Sequence, residues 1–210
     1  MKKMGFIWHL ISASLDVKGG ELLSLLHHYS KHGDPLMQKF MEPIFKATSK
    51  AFYLMMTQWM QQGILEDPFD EFFIASTSAS RNKDKKSTGK GESNNSFASH
   101  IINSKKIPSF IPRDLAHKVY RTGKSLNFLR SALFDTAWLL DLVGKKKSFS
   151  SDHDFDLITK NVEEEYGIIS SRLVKLLYED HKLLKHLEAI KKFLLLGQGD
   201  FILSLLDHLK

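Results

Sequence analysis

His28 and His32 stand four residues apart, the spacing that places two imidazoles on one face of a helix. A metal pair of the protease type needs glutamate directly after the first histidine, and Tyr29 is there instead. With no third ligand in view, the pair reads as polar helix surface. Gly123-Lys124-Ser125 has the ending of a phosphate-binding loop, but the glycine required five positions earlier is Lys118. The preceding residues also pattern as helix where that loop needs a strand. A helix break at Gly123 with Ser125 as a cap is the expectation. Asp152, Asp154, Asp156 and Glu163 fall on the spacing of a calcium loop, yet the sharp turn needs glycine where Leu157 stands. Acidic residues in the first turn of a helix explain them as well, since they complement its dipole. No serine nucleophile elbow, paired catalytic carboxylates or glycine-rich dinucleotide loop is visible. No enzyme activity, cofactor or metal is expected.

The elements that would position any site are helical. In 210 residues, 42% are hydrophobic and 26% charged, which suits one large or two small folded domains. There is no cysteine, which removes disulfides, thiolate metal sites and thiol nucleophiles. Two lysines and an apolar stretch open Met1 to Val17, but Trp8, His9 and Asp16 interrupt it and no cleavage site follows, so secretion is not expected. No apolar run reaches the ~18 residues of a membrane span.

The net charge of +6 is local. Seven basic residues (Arg81, Lys83, Lys85, Lys86, Lys90, Lys105, Lys106) and two acidic ones (Asp84, Glu92) leave the rest of the chain at +1. The folded parts therefore offer no basic face for nucleic acid. Residues 76–106, rich in Ser, Thr, Asn, Gly and Lys, read as a flexible basic insertion, and 144–152 as a short linker.

Residues 1–75 read as a first block of three or four helices. Leu22, Leu25, Leu26 and Tyr29 recur at helical spacing; Gly33 is expected as a left-handed stop, Asp34 as a cap and Pro35 as the first residue of the next helix. Met37, Phe40, Met41, Ile44 and Phe45 share a face, with a kink expected at Pro43. A third helix carries Ala51, Met55, Trp59 and Met60 to Gly63, and Phe69, Phe72 and Phe73 follow as an element packing back on the bundle. Residues 107–143 form a second block.

Residues 153–210 hold the strongest pattern. Val162, Tyr166, Ile169, Leu173, Leu176, Asp180, Leu183, Leu187, Ile190 and Leu194 alternate four and three apart, predicting one long heptad-patterned helix with Asp180 its only polar member. Gly197-Gln198-Gly199 ends it, Asp200 caps the next helix, and the pattern stops at Lys210 in mid-stripe, so a truncated chain is expected. The predicted class is all-α: elongated helical bundles.

Six segments, in order, resemble the gamma-tubulin complex component family (Spc97/Spc98 family). They are Gly19-Gly20-Glu21-Leu22 with His27 and Gly33-Asp34-Pro35; Trp59, Gly63 and Leu65-Glu66-Asp67-Pro68; Glu71-Phe72-Phe73-Ile74; Ile107-Pro108-Ser109-Phe110; Thr122-Gly123-Lys124-Ser125-Leu126-Asn127-Phe128-Leu129; and Leu194 to Ile202, including Gly197-Gln198-Gly199-Asp200. Their wording is closer to the component-three, Spc98-like branch than to component two. The signature residues Gly20, His27, Gly33, Asp34, Pro35, Trp59, Asp67, Phe72, Phe73, Pro108, Phe110, Gly123, Lys124, Asn127, Gly197, Gln198, Gly199 and Asp200 are expected to be structural, with partner contact open to them. The resemblance implies the amino-terminal grip region: a non-enzymatic scaffold at microtubule-organising centres, laterally associated with a component-two-like protein. It implies no nucleic-acid or membrane partner. Gamma-tubulin would be bound mainly by the carboxy-terminal half of the family pattern, which lies outside this chain. The family's usual start before Met1 and the tryptophan-and-tyrosine stretch before Pro108 are also missing. A generic helical adaptor unrelated to tubulin is the alternative, and a nucleic-acid binder would need the charge of 81–106 on an ordered surface.

Overall fold

The computed structural model describes residues 2–76, 100–145 and 155–209. Among them the helices are α1 (Lys2–Ser14), α2 (Gly19–Ser30), α3 (Pro35–Gln62), α4 (Arg113–Ser131), α5 (Thr136–Lys145), α6 (Phe155–Lys175), α7 (Leu183–Ala189) and α8 (Gly199–His208). The fold is all-α apart from an antiparallel ribbon, β1 (Ile74–Ser76) with β2 (His100–Ile102), paired Ile74 to Ile102 and Ser76 to His100. The chain divides into two compact units, Met1–Ile169 and Ser170–Lys210.

In the first unit α3 is the central element and packs against both α2 and α4. Its N-terminus is fixed by Asp34, whose carboxylate accepts the Leu36 N–H at 2.9 Å, with Pro35 in the first turn where a missing N–H is harmless. Gly63, at φ 64°, ends it in the left-handed conformation, its N–H donating to the Trp59 carbonyl. Met41, Phe45, Phe52, Met56, Trp59 and Met60 line its inner face and are buried. Leu23 and Leu26 of α2, Leu115, Ala116 and Val119 of α4, and Ile158 and Val162 of α6 complete one core with Phe72 and Phe73.

Several sequence expectations are revised. The two helices foreseen over 35–62 are one, running through Pro43. Gly33 is not left-handed; among the described residues the glycines with positive φ are Gly19 and Gly63. Gly123 does not break a helix but lies inside α4. The ends of the 76–106 insertion are structured: β1 and β2 pair, and Ser104–Lys106 forms a 3-10 turn. The expected 144–152 linker begins inside α5, which runs to Lys145; residues 77–99 and 146–154, with Asp152 and Asp154, lie outside the described residues.

The long helix expected from 153 to the Gly197-Gln198-Gly199 stop, with the next helix beginning after it, is interrupted in the second unit. Beyond Lys175 the backbone forms a π-turn over Leu176–Asp180, Lys182 adopts φ 45°, and α7 begins at Leu183. The break falls beside Asp180, the one polar rung of the ladder, so the sequence marked its position without announcing it. A second π-turn, Ile190–Leu194, follows α7, and Leu196 turns left-handed at φ 53°. Gly197 donates its N–H to the Lys191 carbonyl at 3.1 Å. Gln198 occupies the N-cap of α8 without a side-chain bond, and Asp200 lies inside the first turn rather than capping it.

Candidate interaction surfaces

The joint between α3 and α4 is built from a large ring and an absent side chain. The Trp59 ring is fully buried and its Nε1–H donates to the Val119 carbonyl at 3.0 Å. Gly123 is the residue that lets α4 approach: a Cβ there would run into the Trp59 indole at Nε1 and Cε2, on its five-membered ring. One turn on, Asn127 Nδ2 donates to the Gly63 carbonyl at 2.8 Å, and Arg130 reaches the Gln62 carbonyl. These α4 side chains thereby satisfy carbonyls that the end of α3 leaves without helical partners. Across the same indole lies the His100 ring, 4.7 Å away between centroids. Tyr120 donates its hydroxyl to the His100 carbonyl at 2.8 Å, and Lys124 Nζ stands 5.2 Å from the Tyr120 ring. Burial, then the nearby Lys124 charge, lowers the His100 pKa. Burial pushes that of the buried Tyr53, whose hydroxyl has no hydrogen-bond partner, up to about 12.

The second set closes the loops over α2. Both Asp67 carboxylate oxygens are occupied, accepting the Glu71 N–H at 3.0 Å and the Phe72 N–H at 2.7 Å. This turn inserts Phe72 and Phe73 beside Phe52. Gly20 permits the 104–110 segment to lie on α2, since a Cβ there would meet the Lys106 carbonyl. Ser109 N–H donates to Ser24 Oγ at 2.8 Å, and Pro108 is buried. Phe110 and Phe45 flank the His27 ring at 5.0 and 5.6 Å. Desolvation, then Lys31 and His28, holds the His27 pKa below its usual value.

The signature residues therefore separate by role. Gly20, His27, Trp59, Asp67, Phe72, Phe73, Pro108, Phe110, Gly123 and Asn127 meet in the first unit's core and its closing loops. Asp34 and Pro35 set the start of α3, an added Cβ on Gly33 would meet open space, and Lys124 sits on Tyr120. Gly197, Gln198, Gly199 and Asp200 belong to the second unit and are all exposed.

No constellation for chemistry assembles among the described residues. They contain no cluster of three potential metal ligands. His28 is on α2, but His32 lies beyond its end, where Nδ1 accepts the Asp34 N–H. Glu163, the last residue of the calcium-like spacing, pairs with Lys118 at 2.7 Å. A groove of about 640 Å³ borders the ribbon, but Asp67 on its wall is committed to the turn and Asp70 pairs with Lys106 at 2.7 Å. No helix among the described residues is long and apolar enough to cross a membrane.

What remains open is apolar surface. In the second unit Leu187, Ile190, Phe193, Leu194, Leu203 and Leu206 are exposed, and α7 and α8 contain no buried residue. In the first unit the outer side of α3 exposes Leu36, Phe40, Pro43, Ala47, Ala51 and Leu54. Sequence reading missed this second stripe because its strong inner stripe accounted for the helix.

The family model for the gamma tubulin complex component N-terminal region matches residues 1–180. Spindle pole body component alp6 of Schizosaccharomyces pombe is 34% identical over 195 residues, covering 90% of this chain and 22% of that protein. Human gamma-tubulin complex component 3 is 34% identical over 201 residues, covering 92% of this chain and 21% of its own length. Gamma-tubulin complex component 2 of Arabidopsis thaliana is 29% identical over 191 residues, 90% of this chain and 27% of that protein. The chain thus spans about a fifth of the length of the component-three-like relatives it matches.

Proposed function

This chain belongs to the gamma-tubulin complex component family, and from that premise we propose that it is a structural scaffold segment of the gamma-tubulin complex. It acts at microtubule-organising centres and spindle poles, not as an enzyme. Its mechanical part is lateral: rigid helical bundles pack side by side with the equivalent region of a component-two-like neighbour, and the repeated contact sets the curvature that templates microtubule ends. Gamma-tubulin itself is engaged within the whole complex, through regions of the relatives' length that this chain does not span. The observation carrying the reading is the 34% identity to a component-three protein over 92% of the chain. The packing of Gly20, Trp59, Phe72, Phe73, Pro108 and Gly123 in the first unit supports it, because a tightly packed core gives the bundle one outer shape to present to a neighbour.

The test is co-expression of the tagged chain with the amino-terminal half of a component-two-like protein, followed by size-exclusion chromatography with light scattering. A one-to-one complex at micromolar concentration is the expected result. A monomer indifferent to that partner would overturn lateral scaffolding by this segment.

A further inference from the structure

A helix that is apolar on one side needs one neighbour; α3 is apolar on two. Its inner side fills the core with Met41, Phe45, Phe52, Met56 and Trp59. Its outer side carries Leu36, Phe40, Pro43, Ala47, Ala51 and Leu54, all exposed, Leu36 at 63% and Leu54 at 58%. The outer positions step by four, three, four, four and three, which is five turns of straight α-helix. They therefore form one line roughly 27 Å long at 1.5 Å per residue rather than scattered surface residues, which would need no explanation. Ala47 and Ala51 make the middle of the line shallow, so that another helix can approach closely there.

The line has one charged border. Lys39, Lys46 and Lys50 run along a single side of it, all exposed, and outweigh the one acid on that side, the exposed Glu42, which stands further from the line. The Lys39 and Lys50 side chains make no ion pair or hydrogen bond among the described residues. The border decides the occupant. In an antiparallel pairing with a second copy of α3, like borders face each other, and lysine would meet lysine. A partner helix with an apolar seam and an acidic border on the facing side satisfies both features at once.

We infer that the outer face of α3, the Leu36–Leu54 line with its Lys39–Lys50 border, is the docking surface for an acidic-bordered amphipathic helix of a neighbouring subunit. This rests on the lateral scaffold reading and adds where the contact falls and what chemistry it selects. A single helix face of this length is smaller than a standard stable interface. It is suited to a contact repeated around an assembly, where many weak lateral contacts act together.

The absence of cysteine makes the test direct. Ala47→Cys and, as a control on an exposed loop, Glu66→Cys each introduce a unique thiol. Their alkylation rates are measured alone and with the amino-terminal half of a component-two-like protein, circular dichroism confirming the fold of each variant. The expected result is at least tenfold slower alkylation at position 47 in the complex, with position 66 unchanged. The Lys39→Glu, Lys50→Glu double variant should bind at least tenfold more weakly, and rising salt should weaken wild-type binding more than that of the variant. If the complex forms while position 47 alkylates freely, the α3 surface is wrong and lateral scaffolding survives. Slow alkylation at 47 without the partner would mean the chain covers this face itself, which also overturns the inference. If no complex forms, both readings fall.

Discussion

The ladder from Val162 to Leu194 passes through two regimes. Before Asp180, Val162, Ile169 and Leu176 are buried; after it, Leu187, Ile190 and Leu194 stand exposed. The residue types and spacing are alike on both sides. Periodicity therefore states which residues seek a common neighbour, not whether the neighbour is present. The joint between α3 and α4 carries the same lesson from the covered side. There the decisive residues are not the apolar rungs but Gly123, Asn127 and the Trp59 N–H, which fix how closely and in what register the rungs meet. Around Leu187 and Leu206 the described residues show no buried hydrogen bond of that kind: the Phe193 and Phe201 rings meet edge to face at 5.3 Å, and ion pairs such as Lys192 with Glu188 at 3.0 Å are exposed and local.

This contrast breaks most readily at Trp59. Trp59→Ala removes a fully buried ring and leaves the Val119 carbonyl without its donor. A loss of about 3–5 kcal/mol in urea unfolding is expected. A loss below about 1 kcal/mol would mean that the joint is not the anchor described. Gly123→Ala approaches the same contact from the other helix. Its methyl overlaps the indole edge, so a cost of about 1–3 kcal/mol is expected despite the better helix propensity of alanine. Stabilisation instead would show that α4 can shift away without loss.

A smaller effect distinguishes the loops that close the first unit. The His27 ring lies between Phe45 and Phe110, and its pKa is lowered first by burial. The unfolded chain then binds a proton more readily than the folded one, so stability falls as pH drops below about 6.5, the ordinary value, towards the lowered one. His100, lowered by burial and Lys124, adds to the same window. The urea midpoint should therefore decrease from pH 7.5 to 5.5, and by less in His27→Gln. An equal decrease in both proteins would remove His27 from the account.

Much of the first unit was legible because its rules are local. Asp34-Pro35 announced the start of α3, Gly63 its end, and the Asp67-Pro68 turn the return of Phe72 and Phe73 to the core. What was not legible depended on distant partners. Gly123 looked like a helix break because nothing nearby in sequence shows that an indole sixty-odd positions earlier fills its missing side chain. The β1–β2 ribbon escaped because three-residue strands are too short for alternation to register, and their pairing spans the insertion. The outer α3 stripe was overlooked for a different reason: Ala47, Ala51 and Pro43 are weakly apolar and register only once the exposed side of the helix is known. Ten of the signature residues lie in the first unit's core and closing loops, which left the contact surfaces to be found from the structure.

The smallest expected effect bears on the uncovered half of the ladder. Leu203 and Leu206 are 64% and 53% exposed, so alanine there removes little area that folding had taken from water. Leu206→Ala should change the stability of the isolated chain by no more than about 0.5 kcal/mol. That figure sharpens the comparison because Leu→Ala at a covered position such as Leu126 costs about 2–5 kcal/mol. The same residue type, the same truncation and a several-fold difference in cost would then be attributable to the presence or absence of a neighbour. A loss above about 1 kcal/mol at Leu206 would instead show that the second unit has a core of its own in solution, and that the two halves of the ladder differ less than their exposures indicate.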